Sequence, residues 1–130
     1  MSMVNGFYDE LGFSESVCSG FKWSGNSLEV FFQNGIDLGS NHPLSNSFKF
    51  GDPCRLLFDG VIKSKLRVSH LISSPNNFEH HYFENLDLHT SNEEDEYIPF
   101  YLEGVMMATS PTGWFVWDLV AQTFTFDDLS

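Results

Sequence analysis

Between turns marked by glycine, asparagine and proline, this chain alternates apolar and polar residues with a period of two. That period commits it to β-strands, whose side chains point to opposite faces in turn. The longest example lies between Ile62 and Ile72. Ile62, Leu66, Val68, His70 and Ile72 share one parity, while Lys63, Lys65 and Arg67 take the other. Such a strand buries one face and shows a basic stripe to solvent.

The same pattern recurs along the chain. Val17, Phe21 and Trp23, then Leu28, Val30 and Phe32, flank Ser24-Gly25-Asn26 and predict a β-hairpin. Cys54, Leu56 and Phe58 alternate with Arg55, Leu57 and Asp59, and Gly60 marks a bulge or sharp bend. Phe78 to Leu88 reads as a strand with Tyr82, Leu86 and Leu88 inward, followed by an acidic loop over Thr90 to Glu96. Ile98, Phe100, Leu102 and Met106 form the next apolar face, with Pro99 favouring an edge or a strand start. After Ser110-Pro111-Thr112-Gly113 come the aromatic runs Trp114 to Val120 and Phe124 to Phe126. Only Gly6 to Glu15 has helical potential. The expected fold is therefore all-β: an antiparallel meander of seven or eight strands, closed as a barrel or folded as a sandwich, with at most one short N-terminal helix.

One domain over residues 1–130 is expected, because two cores in so short a chain would each be too small to stabilise themselves. Fourteen Phe residues supply ample core material and argue against disorder. No stretch has the length of a membrane-spanning helix, and no basic-then-apolar leader opens the chain, so a cytoplasmic location is expected. Cys18 and Cys54 lie in apolar, strand-like surroundings and read as buried thiols, with a disulfide between them left open by the sequence.

Charge is divided unevenly. Up to Arg67 the chain has six cations and seven carboxylates; the remaining 63 residues have eleven carboxylates and neither Lys nor Arg. Nearly all of the net charge of −12 thus belongs to the second half. A field of one sign repels nucleic acid and anionic membrane and attracts cationic partners. The run Glu93-Glu94-Asp95-Glu96 is its densest point, followed by Tyr97 and Tyr101. Acid beside aromatic suits recognition of a basic protein, since Tyr is favoured in binding cores. Trp114 and Trp117 have opposite parity, so one is expected in the core and the other in a cleft or interface, and Trp117 joins the candidate contact residues.

Chemistry of the chain's own finds little support. Adjacent His80 and His81 would point to opposite strand faces, and no Cys or His pair has structural-zinc spacing, so no metal or cofactor is expected. There is no G-x-S-x-G turn, no activating context around either cysteine and no glycine loop opening a helix. No catalytic residue is expected.

The segments Cys54-Arg55-Leu56-Leu57-Phe58-Asp59-Gly60-Val61 and Phe100-Tyr101-Leu102-Glu103-Gly104-Val105, with the closing aromatic strands Trp114 to Phe126, resemble small bacterial immunity proteins. These protect a cell against polymorphic or contact-dependent toxins. The resemblance implies an acidic, cytoplasmic, non-catalytic protein that binds a cognate toxin stoichiometrically; it implies a role more than an architecture. A nuclease toxin needs a basic cleft for phosphates, and an acidic surface competes for it. The expectation is a protein-binding inhibitor of a basic toxin. A small-ligand-binding β-barrel with an aromatic-lined pocket is the alternative, a structural subunit comes third and an enzyme last.

Overall fold

A computed structural model describes residues 2–73, 77–88 and 96–130. Nearly everything regular in it is β-structure. Nine strands form one sheet: β1 (Ser2–Asn5), β3 (Val17–Ser24), β4 (Ser27–Asn34), β6 (Cys54–Asp59), β7 (Lys63–Ser73), β8 (Asn77–Asp87), β9 (Ile98–Met106), β10 (Gly113–Ala121) and β11 (Thr123–Asp128). Two short strands, β2 (Leu11–Gly12) and β5 (Asp37–Leu38), pair as a separate ribbon. The helical potential near the N-terminus is realised only as a single 3₁₀ turn, Tyr8–Glu10. No helix among the described residues is long and apolar enough to cross a membrane.

The strand order is β1-β11-β6-β4-β3-β9-β10-β7-β8, which is not the expected plain meander. Hairpins join β3 to β4, β7 to β8 and β9 to β10, but β11 crosses to β6 and takes β1 on its other side. All neighbours are antiparallel except β3 and β9, which run parallel through only two pairs, Val17 with Val105 and Cys18 with Met106. That narrow joint is where the sheet folds over on itself. Rings from strands that are not neighbours in the order meet across the interior: Phe58 and Phe124 with Phe100, Phe32 with Phe115, and Phe21 edge-on to Trp117. The β1-β11-β6-β4-β3 half thus faces the β9-β10-β7-β8 half as in a sandwich, and β1 and β8 remain as edges.

Gly104 permits the joint. Its φ of 150° is one that L side chains rarely adopt, and a Cβ there would lie 2.2 Å from Ser16 Oγ. The space lets Ser16 approach β9, accept a hydrogen bond from Val105 N–H and donate its hydroxyl to Glu103 C=O.

Alternation places most of the core correctly: Leu28, Val30 and Phe32, then Cys54, Leu56 and Phe58, then Leu66 and Val68, then Phe100 and Leu102 are all buried. Register shifts in the β3–β4 and β7–β8 pairings change the parity elsewhere. A register shift between Cys18 and Gly20 turns Cys18, rather than Val17, onto the face shared with Phe21 and Trp23. On β8, Ser64 pairs with Leu86 but Leu66 with Phe83, so β8 carries one extra residue, and Glu84 has φ 52°. An extra residue swaps the faces of everything beyond it. Phe83 and Leu86 therefore pack on the core and Tyr82, expected inside, is exposed; Leu88, also expected inside, lies beyond the end of β8 and is exposed. Ile72 is the extra residue of a further register shift between Leu71 and Ser73 and is exposed, and Ile98 keeps the inward parity but is exposed where it lines a groove with Phe7 and Phe124.

Candidate protein-binding face

Directly opposed residues of neighbouring strands share a face, so the registers define the outer surface of the β9-β10-β7-β8 half. One row across it reads Val105, Trp114, Ser69, His80; the next reads Glu103, Val116, Arg67, Tyr82. A third joins Tyr101, Asp118 and Lys65, and Leu71 faces Phe78 at the far end. Large aromatics stand out from this face. Phe78 is 45% exposed, Tyr82 52%, Tyr101 46% and Trp114 40%. They are presented by hydrogen-bonded strands, so little conformational freedom remains to be lost on binding.

The sequence candidates are distributed as follows. Tyr101 lies on this face, its hydroxyl donating to Glu103 Oε2 at 3.1 Å; desolvation, then the Glu103 contact, raise its pKa above the usual tyrosine value. Glu96 is exposed and Tyr97 half-buried where the chain enters β9. Glu93, Glu94 and Asp95 lie outside the described residues. Trp117 is a correction: it points inward, is fully buried, and satisfies its indole N–H on the buried Ser64 Oγ at 2.9 Å. A side chain so placed packs the core and does not reach a partner. Parity separates it from Trp114, which is the exposed member of the pair. Tyr82, expected inside, is turned out by the extra residue in β8, while Phe78 and Leu71 lie at the far end of the β7–β8 hairpin, whose length relative to the core alternation alone does not give.

The basic stripe predicted on β7 is present, and all of it lies on this face. Lys65 sits over the Tyr82 ring, 5.2 Å from its centroid, and opposite Asp118; Lys63 faces Asp87. Cations here are interleaved with acids rather than massed. On the other half, Arg55 is held between Glu29 Oε1 at 2.5 Å and the fully buried Asp127 Oδ2 at 2.8 Å.

Groups with chemical potential are turned to packing. Cys18 and Cys54 are free and buried, and both are opposed to Phe32, one on each side of β4. Two strand spacings, roughly 9–10 Å, exceed disulfide reach. Burial pushes the Cys18 thiol up to about 12 and raises that of Cys54 as well, so both stay protonated and unreactive. His80 contacts Ser69 Oγ on the outer face, while His81 pairs with Glu79 at 3.0 Å on the other. Among the described residues no three His, Cys, Asp or Glu side chains converge as a metal site would require.

The interior is filled by aromatic rings, and the larger concavities open outward on either side of Leu86. One, of about 730 Å³, is lined by Lys63, Asp87, Phe100 and Asp118; the other, of about 430 Å³, by Trp23, Glu84 and Leu88. The second is crossed by the Trp23 indole N–H donating to Glu84 Oε2 at 2.6 Å. Comparison with protein-family models, curated proteins and solved structures gave no match.

Proposed function

We propose that this chain is a protein-binding inhibitor: a cytoplasmic bacterial immunity protein that neutralises a basic, nuclease-like toxin by one-to-one binding. The observation that carries the reading is the outer face of β9-β10-β7-β8, where Phe78, Tyr82, Tyr101 and Trp114 are exposed together on a rigid sheet. Aromatic anchors of this kind dominate binding energy where they are desolvated at the centre of an interface. The patch itself is mixed in charge, so the net −12 of the chain acts at a distance, steering a cationic partner toward it. Glu96, exposed where the chain enters β9, and the acidic run Glu93-Glu94-Asp95 that precedes it in the sequence add to that charge.

The test is inhibition of a nuclease-toxin domain encoded beside this chain, with the two purified proteins mixed in known ratio. Nuclease activity falls to zero at equimolar inhibitor. Tyr101→Ala and Trp114→Ala each weaken the complex by about tenfold or more. Neutralising Glu93, Glu94, Asp95 and Glu96 together slows association by roughly tenfold at low salt, and the difference shrinks as ionic strength rises. Full nuclease activity in excess inhibitor, with no complex formed, removes the reading.

A further inference from the structure

The two ends of the nine-stranded sheet are not alike. β1 is four residues long, whereas β8 has eleven and pairs on one side only, with β7. Its first four residues are all exposed, and no strand covers its second side among the described residues. A long bare edge displays unpaired backbone donors and acceptors that invite another strand.

Which residues face outward follows from the ladder. Tyr101 turns its N–H and C=O away from β10, toward Tyr8. Antiparallel pairs alternate between bonded and non-bonded types, so the direction can be passed from strand to strand. Asp118, paired with Tyr101, bonds toward β7; Lys65 and Arg67 bond back toward β10; Leu66, Val68 and His70 bond toward β8. The hydrogen bonds from Val105 N–H to Ser16 C=O and from Ser16 Oγ to Glu103 C=O agree with this phase, since Val105 and Glu103 share the parity of Tyr101 on β9. Their partners Phe83, His81 and Glu79 are thereby used, and Phe78, His80 and Tyr82 direct their backbone groups to the open edge.

We propose that β8 pairs antiparallel with β8 of a second copy of this chain, about a two-fold axis through His80. In that register Phe78 lies opposite Tyr82 of the other copy, and Glu79 opposite His81, each match occurring twice by symmetry. Both matches keep faces together: Phe78 and Tyr82 belong to the outer face, Glu79 and His81 to the inner one. Neighbouring registers lose this. Centring on Glu79 sets two carboxylates against each other, and centring on His81 puts Glu79 opposite Phe83. Centring on Tyr82 requires Glu84, whose φ of 52° departs from extended backbone and whose carboxylate is held by Trp23. A chain of net charge −12 repels its own copies, so a contact between copies must be short and locally charge-matched. Residues 77–83 of β8 meet that condition through their alternation of acid, imidazole and aromatic side chains.

Sedimentation velocity at neutral pH, at roughly 100 μM where a weak edge contact is populated, tests the pairing. The wild type runs as a dimer. His80→Pro removes an outward N–H without touching the β7 ladder, a position where an edge strand tolerates proline. It raises the dissociation constant by at least about tenfold, with the β-type circular dichroism spectrum retained. Because a proline can disturb folding, a side-chain series runs beside it. His81→Glu sets acid against Glu79 and weakens the dimer; Glu79→His combined with His81→Glu restores the match and the dimer. A wild type that stays monomeric, a dimer indifferent to His80→Pro, or a swap variant that fails to recover overturns the proposal.

Discussion

The hydroxyl of Tyr8 sits between the backbone N–H and C=O of Tyr101, accepting from one at 3.0 Å and donating to the other. It stands where a strand would otherwise be. β3 stays beside β9 for only two pairs, so that among the described residues the segment from Pro99 to Glu103 has no strand neighbour on that side. Ser16 serves Glu103 and Val105, Tyr8 serves Tyr101, and Pro99 has no N–H to serve. The edge expected near Pro99 is thus blocked by side chains, and β8 is the longer of the two edges left open among the described residues. The Tyr8 ring is fixed edge-on to Phe100 at 4.9 Å and Phe124 at 5.2 Å, so its hydroxyl is placed by the core.

Tyr8→Phe removes that clip and keeps the ring. Tyr101 is half exposed, so water replaces part of what is lost. A destabilisation of about 1 kcal/mol is expected from urea unfolding, with faster exchange of the Tyr101 amide proton. An unchanged exchange rate at Tyr101 would show that the contact carries no weight in solution.

Arg55 compensates a carboxylate that has no access to water. Asp127 is fully buried and its only ion-pair partner among the described residues is Arg55. Arg55→Met strands that charge and is expected to cost about 3–5 kcal/mol. Asp127→Asn in the same chain recovers much of it, because the charge is gone. Chemical denaturation of the single and double variants reads the coupling.

The two tryptophans should separate cleanly. Trp117→Ala opens a cavity in the core and leaves Ser64 without its partner, at a cost of about 3–5 kcal/mol. Trp114→Ala should change stability by less than about 1 kcal/mol while weakening partner binding. The reverse ranking in thermal melts would reverse the assignment of faces.

His42 gives stability a pH dependence of definite sign. It is buried against Phe126 and Phe7, and its Nδ1 accepts from Leu44 N–H. Desolvation lowers its pKa from the ordinary 6.5, so the unfolded chain takes up the proton first as pH falls. The contribution is whole above that ordinary value and is lost as pH drops through the lowered one. His42→Asn retains an acceptor and removes the titration. The stability gap between wild type and variant should narrow between about pH 8 and about pH 5; a constant gap in urea titrations would contradict the assignment.

Alternation alone identified the strand class, the hairpin about Gly25, and the core of β4, β6, β7 and β9, because a period of two leaves one face for burial. It separated Trp114 from Trp117 but led to the buried Trp117 as the contact residue, since parity fixes that the two differ and not which of them the opposing half covers. Nothing local announced the extra residues near Ser19 and Glu84, each of which reverses the faces beyond it. Nor could residues 93 apart in the chain declare that Tyr8 would stand against Tyr101. Composition established how much acid the protein carries. Register decided that the β7 cations would be interleaved with Asp118 and Asp87, and that β8, the strand with matched acid and imidazole, would be the long edge of the sheet. Alternation is a local property of successive Cβ atoms; pairing partners and edges are set by which strands the folded-over sheet brings together.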